Sequence, residues 1–190
     1  MFSDFYGIYE NARNASWQFL IDYGIHQLPV DLNPIIEKIG VKVKFGDERV
    51  LESRQRGLTT TNGTTTYIIV REKSSIAESR YTIVHELGHS YLGHPLVNGR
   101  YARTFDTSSQ YEYQAERFAI DVLAPACVLW SLNLHTAEDI AQVCNISISA
   151  ARRRAERMEV LYQRNKFLMH PLERQVYEQF LGFINNYKRK

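Results

Sequence analysis

The sequence predicts an α+β fold, a small antiparallel sheet packed with helices and followed by a C-terminal helical part. Three observations predict it. Strand-like and helix-like stretches are segregated along the chain rather than alternating in βαβ units. Asn62-Gly63 lies between Gly57-Leu-Thr-Thr-Thr and Thr64-Thr-Thr-Tyr-Ile-Ile-Val70, a strong hairpin signal. At 190 residues, 44% apolar and 23% charged, the chain can bury one real core with room for a small appended module.

Taken in order, Tyr6, Tyr9, Ala12, Trp17, Leu20 and Ile21 recur at helical spacing over residues 5–23 and read as scaffold. Asp31-Leu-Asn-Pro-Ile-Ile reads as a cap leading into a second helix that Gly40 stops. Val41-Lys-Val-Lys-Phe45 alternates as a strand does, and the hairpin follows. Ser75-Ile-Ala-Glu78 has capping-box spacing, and Ile76, Ile83, Leu87 and Leu92 continue as a helical stripe until Gly93 and Pro95. A loop from His94 to about Ser109 precedes a helix from Glu112 to Leu123, halted by Pro125. A domain boundary is expected there, giving parts 1–125 and 126–190.

Met1-Phe2-Ser3-Asp4 carries no Lys or Arg and no long apolar run, and nowhere do 18 apolar residues follow one another. Signal and membrane-spanning segments are therefore not expected, and the expected location is the cytoplasm. Cys127 and Cys144, each in an apolar setting, suit buried reduced thiols rather than a disulfide framework or metal ligands. The net charge of +2 conceals a split, with 13 basic and 15 acidic side chains in 1–125 against 10 and 6 in 126–190. That asymmetry permits an acidic partner for the C-terminal part without demanding one.

The stretch Ile83-Val-His-Glu-Leu-Gly-His-Ser90 carries the chemistry. Residues four apart on a helix sit one above the other, so the imidazoles of His85 and His89 can converge on one ion. Glu86 lies about 100° round the helix axis, too far to join them as a ligand but able to reach water held at the ion, as a general base. A catalytic zinc needs a third protein ligand and one open position. His94 is the nearest candidate, yet the extended motif HExxHxxGxxH wants glycine at 92 and histidine at 95, where this chain has Leu92 and Pro95. His94 thus reads as a loop histidine near the site mouth. Glu112 and Glu116 are one turn apart on the next helix, so one can bind metal while the other accepts a hydrogen bond from a ligand histidine.

These residues resemble a known family. His85-Glu-Leu-Gly-His89 followed by Glu112-Tyr-Gln-Ala-Glu-Arg-Phe-Ala-Ile-Asp-Val-Leu-Ala-Pro125 is similar to the ImmA/IrrE metallopeptidases, whose pattern is HELGH and then ExxANxFAxxLLMP. Arg80-Tyr81-Thr82 matches a further family tendency, and the resemblance covers about residues 28–125. It implies a zincin-like domain with a gluzincin-like site: His85, His89 and Glu112 as ligands of zinc or another divalent ion, and Glu86 as base. The chain departs from the pattern at Glu116, usually Asn, and at Ala124, usually Met, so Glu116 is expected one shell outside the metal, on a ligand histidine or a nearby arginine. Tyr91, Tyr101 and Tyr111 are candidates for polarising the substrate carbonyl. The resemblance further implies a protein substrate, a DNA-binding regulator such as a repressor, cut by limited proteolysis. A peptide could add as a strand along an exposed edge at Tyr67-Ile-Ile-Val70.

Thr136 to Arg152 reads as a helix-turn-helix, with Ala141 at the helix contact, Asn145 at the turn and Ser147 capping the second helix. Arg153, Arg154 and Arg157 share a polar face opposite Ile148, Ala151 and Ala155, able to meet phosphates or to stay solvated. Pro171 opens a last amphipathic helix with Tyr177, Phe180, Leu181 and Ile184. The competing function is a DNA- or repressor-binding regulator with a non-catalytic metal site. A structural zinc is normally closed by four protein ligands, and three obvious ligands beside an otherwise idle Glu86 favour catalysis.

Overall fold

A computed structural model describes residues 2–47, 49–51, 55–97, 100–101 and 108–189. In chain order these form α1 (Phe2–Asp22), α2 (Asn33–Ile39), β1 (Lys42–Gly46), β2 (Gly57–Thr61), β3 (Thr66–Arg71), α3 (Ile76–Tyr91), β4 (Leu96–Val97), β5 (Arg100–Tyr101), α4 (Ser108–Leu123), α5 (Ala126–Ser131), α6 (Ala137–Cys144), α7 (Ile148–Arg164) and α8 (Pro171–Lys188). The class is α+β. Packing divides the chain into residues 1–12 with 32–119, and residues 13–31 with 120–190. The division thus runs through α1 and α4, where the sequence suggested a single cut after residue 125. Among the described residues no helix is long and apolar enough to cross a membrane.

In the first unit the hairpin forms as its sequence dictates. β2 and β3 pair antiparallel, with Thr61 opposite Thr66. Asn62 Oδ1 closes the turn by accepting from the backbone N–H groups of Thr64 and Thr65 at 3.1 and 2.8 Å, and Gly63 takes φ +92°. The sheet is mixed rather than purely antiparallel, in the order β1-β3-β2-β5-β4. Residues 47–56 separate β1 from β2, enough chain for β1 to skip its neighbour in sequence and lie parallel to β3, with Lys42 opposite Tyr67. Tyr67 to Val70 therefore has partners on both sides and is not the exposed edge that a peptide would need.

The capping box forms in full: Ser75 Oγ accepts from Glu78 N at 3.3 Å and Glu78 Oε2 accepts from Ser75 N at 3.0 Å. The bonds that Ser75 N and Oγ donate to Glu78 Oε2 hold this carboxyl below its ordinary pKa. α3 then buries Ile83, Val84 and Leu87 and packs on β2 and β3. Ile76, read as part of that stripe, is 74% exposed. A Cβ on Gly57 would overlap the Thr82 methyl, so glycine lets the strand lie directly against the helix. α2 has its Pro34 in the first turn and its Gly40 stop at φ 78°, but Leu32 is the N-cap and makes no side-chain capping bond, contrary to the cap expected from Asp31. The side chains of Tyr6 and Tyr9 lie outside the described set.

The second unit is helical. Trp17, Phe19 and Leu20 of α1 are buried, as are Val128, Leu129, Ile140, Met158, Phe180 and Ile184. Gln179 of α8 donates its amide to the carbonyls of Leu20 and Ile25, tying the last helix to the end of the first. The helix-turn-helix geometry is present: Thr136 caps α6, Asn145 turns the chain at φ 50°, and Ser147 caps α7. Its polar face is not as expected. Arg154 is 1% exposed and donates from Nη1 to Asp121 Oδ1 at 2.8 Å, while Ile148 is 41% exposed. Arg154 lies three residues after Ala151 and four before Met158, both buried, so helical periodicity carries it inward and Asp121 receives it. Cys127 and Cys144 are buried free thiols, and burial pushes the Cys127 pKa well up.

Candidate metal centre

α3 presents His85 and His89 one turn apart, and α4 brings Glu112 to them. The Nε2 atoms of the two histidines are 3.1 Å apart. Glu112 Oε2 is 3.2 Å from His85 Nε2, and Oε1 is 3.6 Å from His89 Nε2. Metal–ligand bonds of 2.0–2.1 Å at tetrahedral angles place ligand atoms about 3.3 Å apart. The two Nε2 atoms and the Glu112 carboxylate, whose separate oxygens lie 3.2 and 3.6 Å from them, are thus spaced to hold one divalent ion through three residues with a fourth position left over. These three residues form the cluster able to hold a metal among the described residues.

The approach of α4 depends on a residue without a side chain. A Cβ on Gly88 would lie 2.8 Å from Phe118 Cδ1, closer than carbon atoms pack, so Gly88 gives the Phe118 ring its place. The glycine of the first motif and the phenylalanine of the second are thereby pressed together. Tyr81 adds a second tie between the helices by donating from Oη to the Glu116 carbonyl at 3.2 Å.

Glu86 stands outside the ligand cluster. It is 7% exposed, and its Oε2 accepts from Thr59 Oγ1 of β2 at 2.7 Å. The sheet thus orients this carboxylate while the helices hold the histidines. Glu116 is exposed, and the far nitrogen of His89 meets another group. His94 Nδ1 is 2.9 Å from His89 Nδ1, and His94 Nε2 is 2.9 Å from Gln114 Oε1 of α4. His94 is buried rather than at a mouth. Burial lowers its pKa, against the opposing effects of the Gln114 hydrogen bond and the Glu112 charge and with a smaller contribution from His85. Tyr111 packs on His94 with ring centres 4.6 Å apart, and Tyr91 packs on Phe118 at 5.6 Å. The Tyr101 side chain lies outside the described set.

The sequence contained a signal for His94. Gly93 adopts φ 70°, with bonds from His94 N to His89 O at 3.0 Å and from Gly93 N to Ser90 O at 3.1 Å. This is a Schellman stop, in which the residue after the left-handed glycine contacts the residue five positions before it. A histidine just after a helix-ending glycine, five residues from a ligand histidine, is therefore delivered onto that ligand.

Comparison with known proteins is consistent with this geometry. The profile of the IrrE N-terminal-like domain, peptidase family M78, matches residues 36–156, which include both motifs and most of the helix-turn-helix. An uncharacterized immunity region protein 2 of Bacillus phage phi105 is 34% identical over 79 residues, covering 40% of this chain and 49% of that protein. The match thus spans about half the length of that relative.

Proposed function

The chain belongs to the IrrE N-terminal-like family of ImmA/IrrE-type metallopeptidases, and on that premise we propose that it is a zinc-dependent endopeptidase acting on a DNA-binding regulatory protein such as a repressor. The carrying observation is the convergence of His85, His89 and Glu112, with Glu86 held beside them but outside the ligand set. A protein that only stored an ion would gain from a fourth side-chain ligand; here the fourth side chain, the Glu86 carboxylate, is anchored by Thr59.

Zinc, when bound, supplies Lewis acidity toward water and the scissile carbonyl. His85, His89 and Glu112 would hold it. Glu86 takes the proton of the attacking water and returns it to the leaving amine, a role for which a carboxylate fixed through one oxygen is preorganised. Manganese and iron accept the same donor set. A regulatory substrate fits both the family and a relative named for a phage immunity region, and the cytoplasm is the proposed place of action. Binding of DNA through α7 is the second reading. It is supported by the helix-turn-helix geometry and by exposed Arg152 and Arg153, and weakened by the burial of Arg154.

The test is co-expression with regulators encoded near its gene, in wild-type and Glu86→Gln forms. The wild type is expected to cut one of them at a defined bond; the variant should fold, keep its metal and lose about 10²–10⁴-fold in rate. Cleavage by metal-loaded Glu86→Gln at the wild-type rate would refute the assigned base.

A further inference from the structure

We infer that His94 is a positioning residue for His89, accepting the hydrogen bond of that ring's Nδ1–H and so keeping the Nε2 lone pair directed at the metal. The inference rests on the metal-centre reading above and adds a residue to it. Each link follows from the chemistry of the partner before it. The Gln114 oxygen can only accept, so His94 carries its proton on Nε2, 2.9 Å away. The two Nδ1 atoms, 2.9 Å apart, share one hydrogen; a His89 that offers Nε2 to the metal carries its own proton on Nδ1 and donates it, and His94 Nδ1 accepts. His89 then has its lone pair on Nε2, the atom 3.1 Å from His85 Nε2 and 3.6 Å from Glu112 Oε1.

Three features make this a built arrangement rather than a chance contact. The Schellman stop at Gly93 sets the His94 backbone relative to His89 through the 3.0 Å bond from His94 N to His89 O. Burial of His94 and Gln114, 7% and 9% exposed, removes water as a competing partner. Gln114 lies two residues from Glu112 on α4, so the relay joins the helix of the two histidines to the helix of the carboxylate. Partners of this kind raise the basicity of a ligand imidazole and fix its ring plane.

The test is zinc titration of the metal-stripped full chain against a chelating indicator, with the cobalt(II) absorption spectrum as a readout of coordination. The wild type is expected to bind one equivalent. His94→Leu should weaken zinc binding about 10–100-fold and alter the cobalt spectrum. His94→Asn, whose side-chain oxygen stands where Nδ1 was, should recover most of the affinity; His94→Gln, whose amide reaches toward the Nε2 position instead, should not. A purely packing role would make Asn no better than Leu, and that result overturns the inference, as does wild-type affinity in a folded His94→Leu. Failure of the wild type to take up any zinc would instead remove the metal-centre reading itself. Thermal melting of the metal-free forms separates loss of affinity from loss of fold.

Discussion

Two polar clusters draw on α4, one part-exposed and one buried, and they are built to opposite rules. Near its start, Glu112 meets His85 and His89, so that two imidazole nitrogens and the two carboxylate oxygens each lie within 3.1–3.6 Å of another. Toward its end, Asp121 meets Arg154, an anion against a cation at 2.8 Å, both under 6% exposed. The second cluster sets a cation against an anion, both supplied by the chain itself. The first concentrates lone pairs that only a cation or protons can satisfy, with a relay behind His89. What separates a site from a strut here is therefore whether acceptors face acceptors or an anion faces a cation.

Emptying the first cluster should have the largest effect. A His85→Ala, His89→Ala variant is expected to lose its metal entirely by elemental analysis and all cleavage with it, while far-ultraviolet circular dichroism shows the helices retained; metal content equal to wild type would place the site elsewhere. Breaking the second cluster should move stability alone. Arg154→Leu leaves Asp121 buried without its cation and should cost about 3–5 kcal/mol in urea unfolding, with zinc affinity of the folded protein unchanged. Lost metal affinity there would erase the contrast between the clusters.

The smaller predictions sharpen the outer shell of the first cluster. Thr59→Val removes the donor on Glu86 Oε2 and should lower the cleavage rate about tenfold at full metal occupancy, the lower end of the cost of losing an orienting partner. A matching fall in zinc affinity would mean that Thr59 supports the ligands and not the base. Glu116→Ala, at an exposed position, should change zinc affinity by about twofold or less; a tenfold loss in the same titration would restore Glu116 to the shell around the histidines.

The parts of this molecule legible in its sequence are those fixed by neighbours along the chain. The spacing of His85 and His89, the capping box at Ser75 and the Asn62-Gly63 turn each depend on a few consecutive residues, and each forms. Illegible parts depend on what arrives from far away. Nothing near Lys42 says that it will lie parallel beside Tyr67 rather than next to the following strand. Arg154 was assigned outward by its charge, although its spacing from Ala151 and Met158 pointed inward; the deciding partner, Asp121, is 33 residues distant. His94 is the intermediate case. Its delivery onto His89 is local, through Gly93, but it is disguised because the contact that usually finishes such a helix end is apolar.

Gly88 and Phe118 make the centre portable only as a pair of helices. A designer moving His85, Glu86, His89 and Glu112 onto another scaffold would copy every group that meets the ion or the water and could still miss the geometry, because the distance from carboxylate to histidines is set by an aromatic ring resting where a Cβ is missing. Alanine at 88 would act as a spacer, shifting Phe118 and the helix behind it by a few tenths of an ångström unless the ring were made smaller at the same time. The two positions are joined as tightly as two teeth of meshed gears, and a lineage that changes one has to change the other.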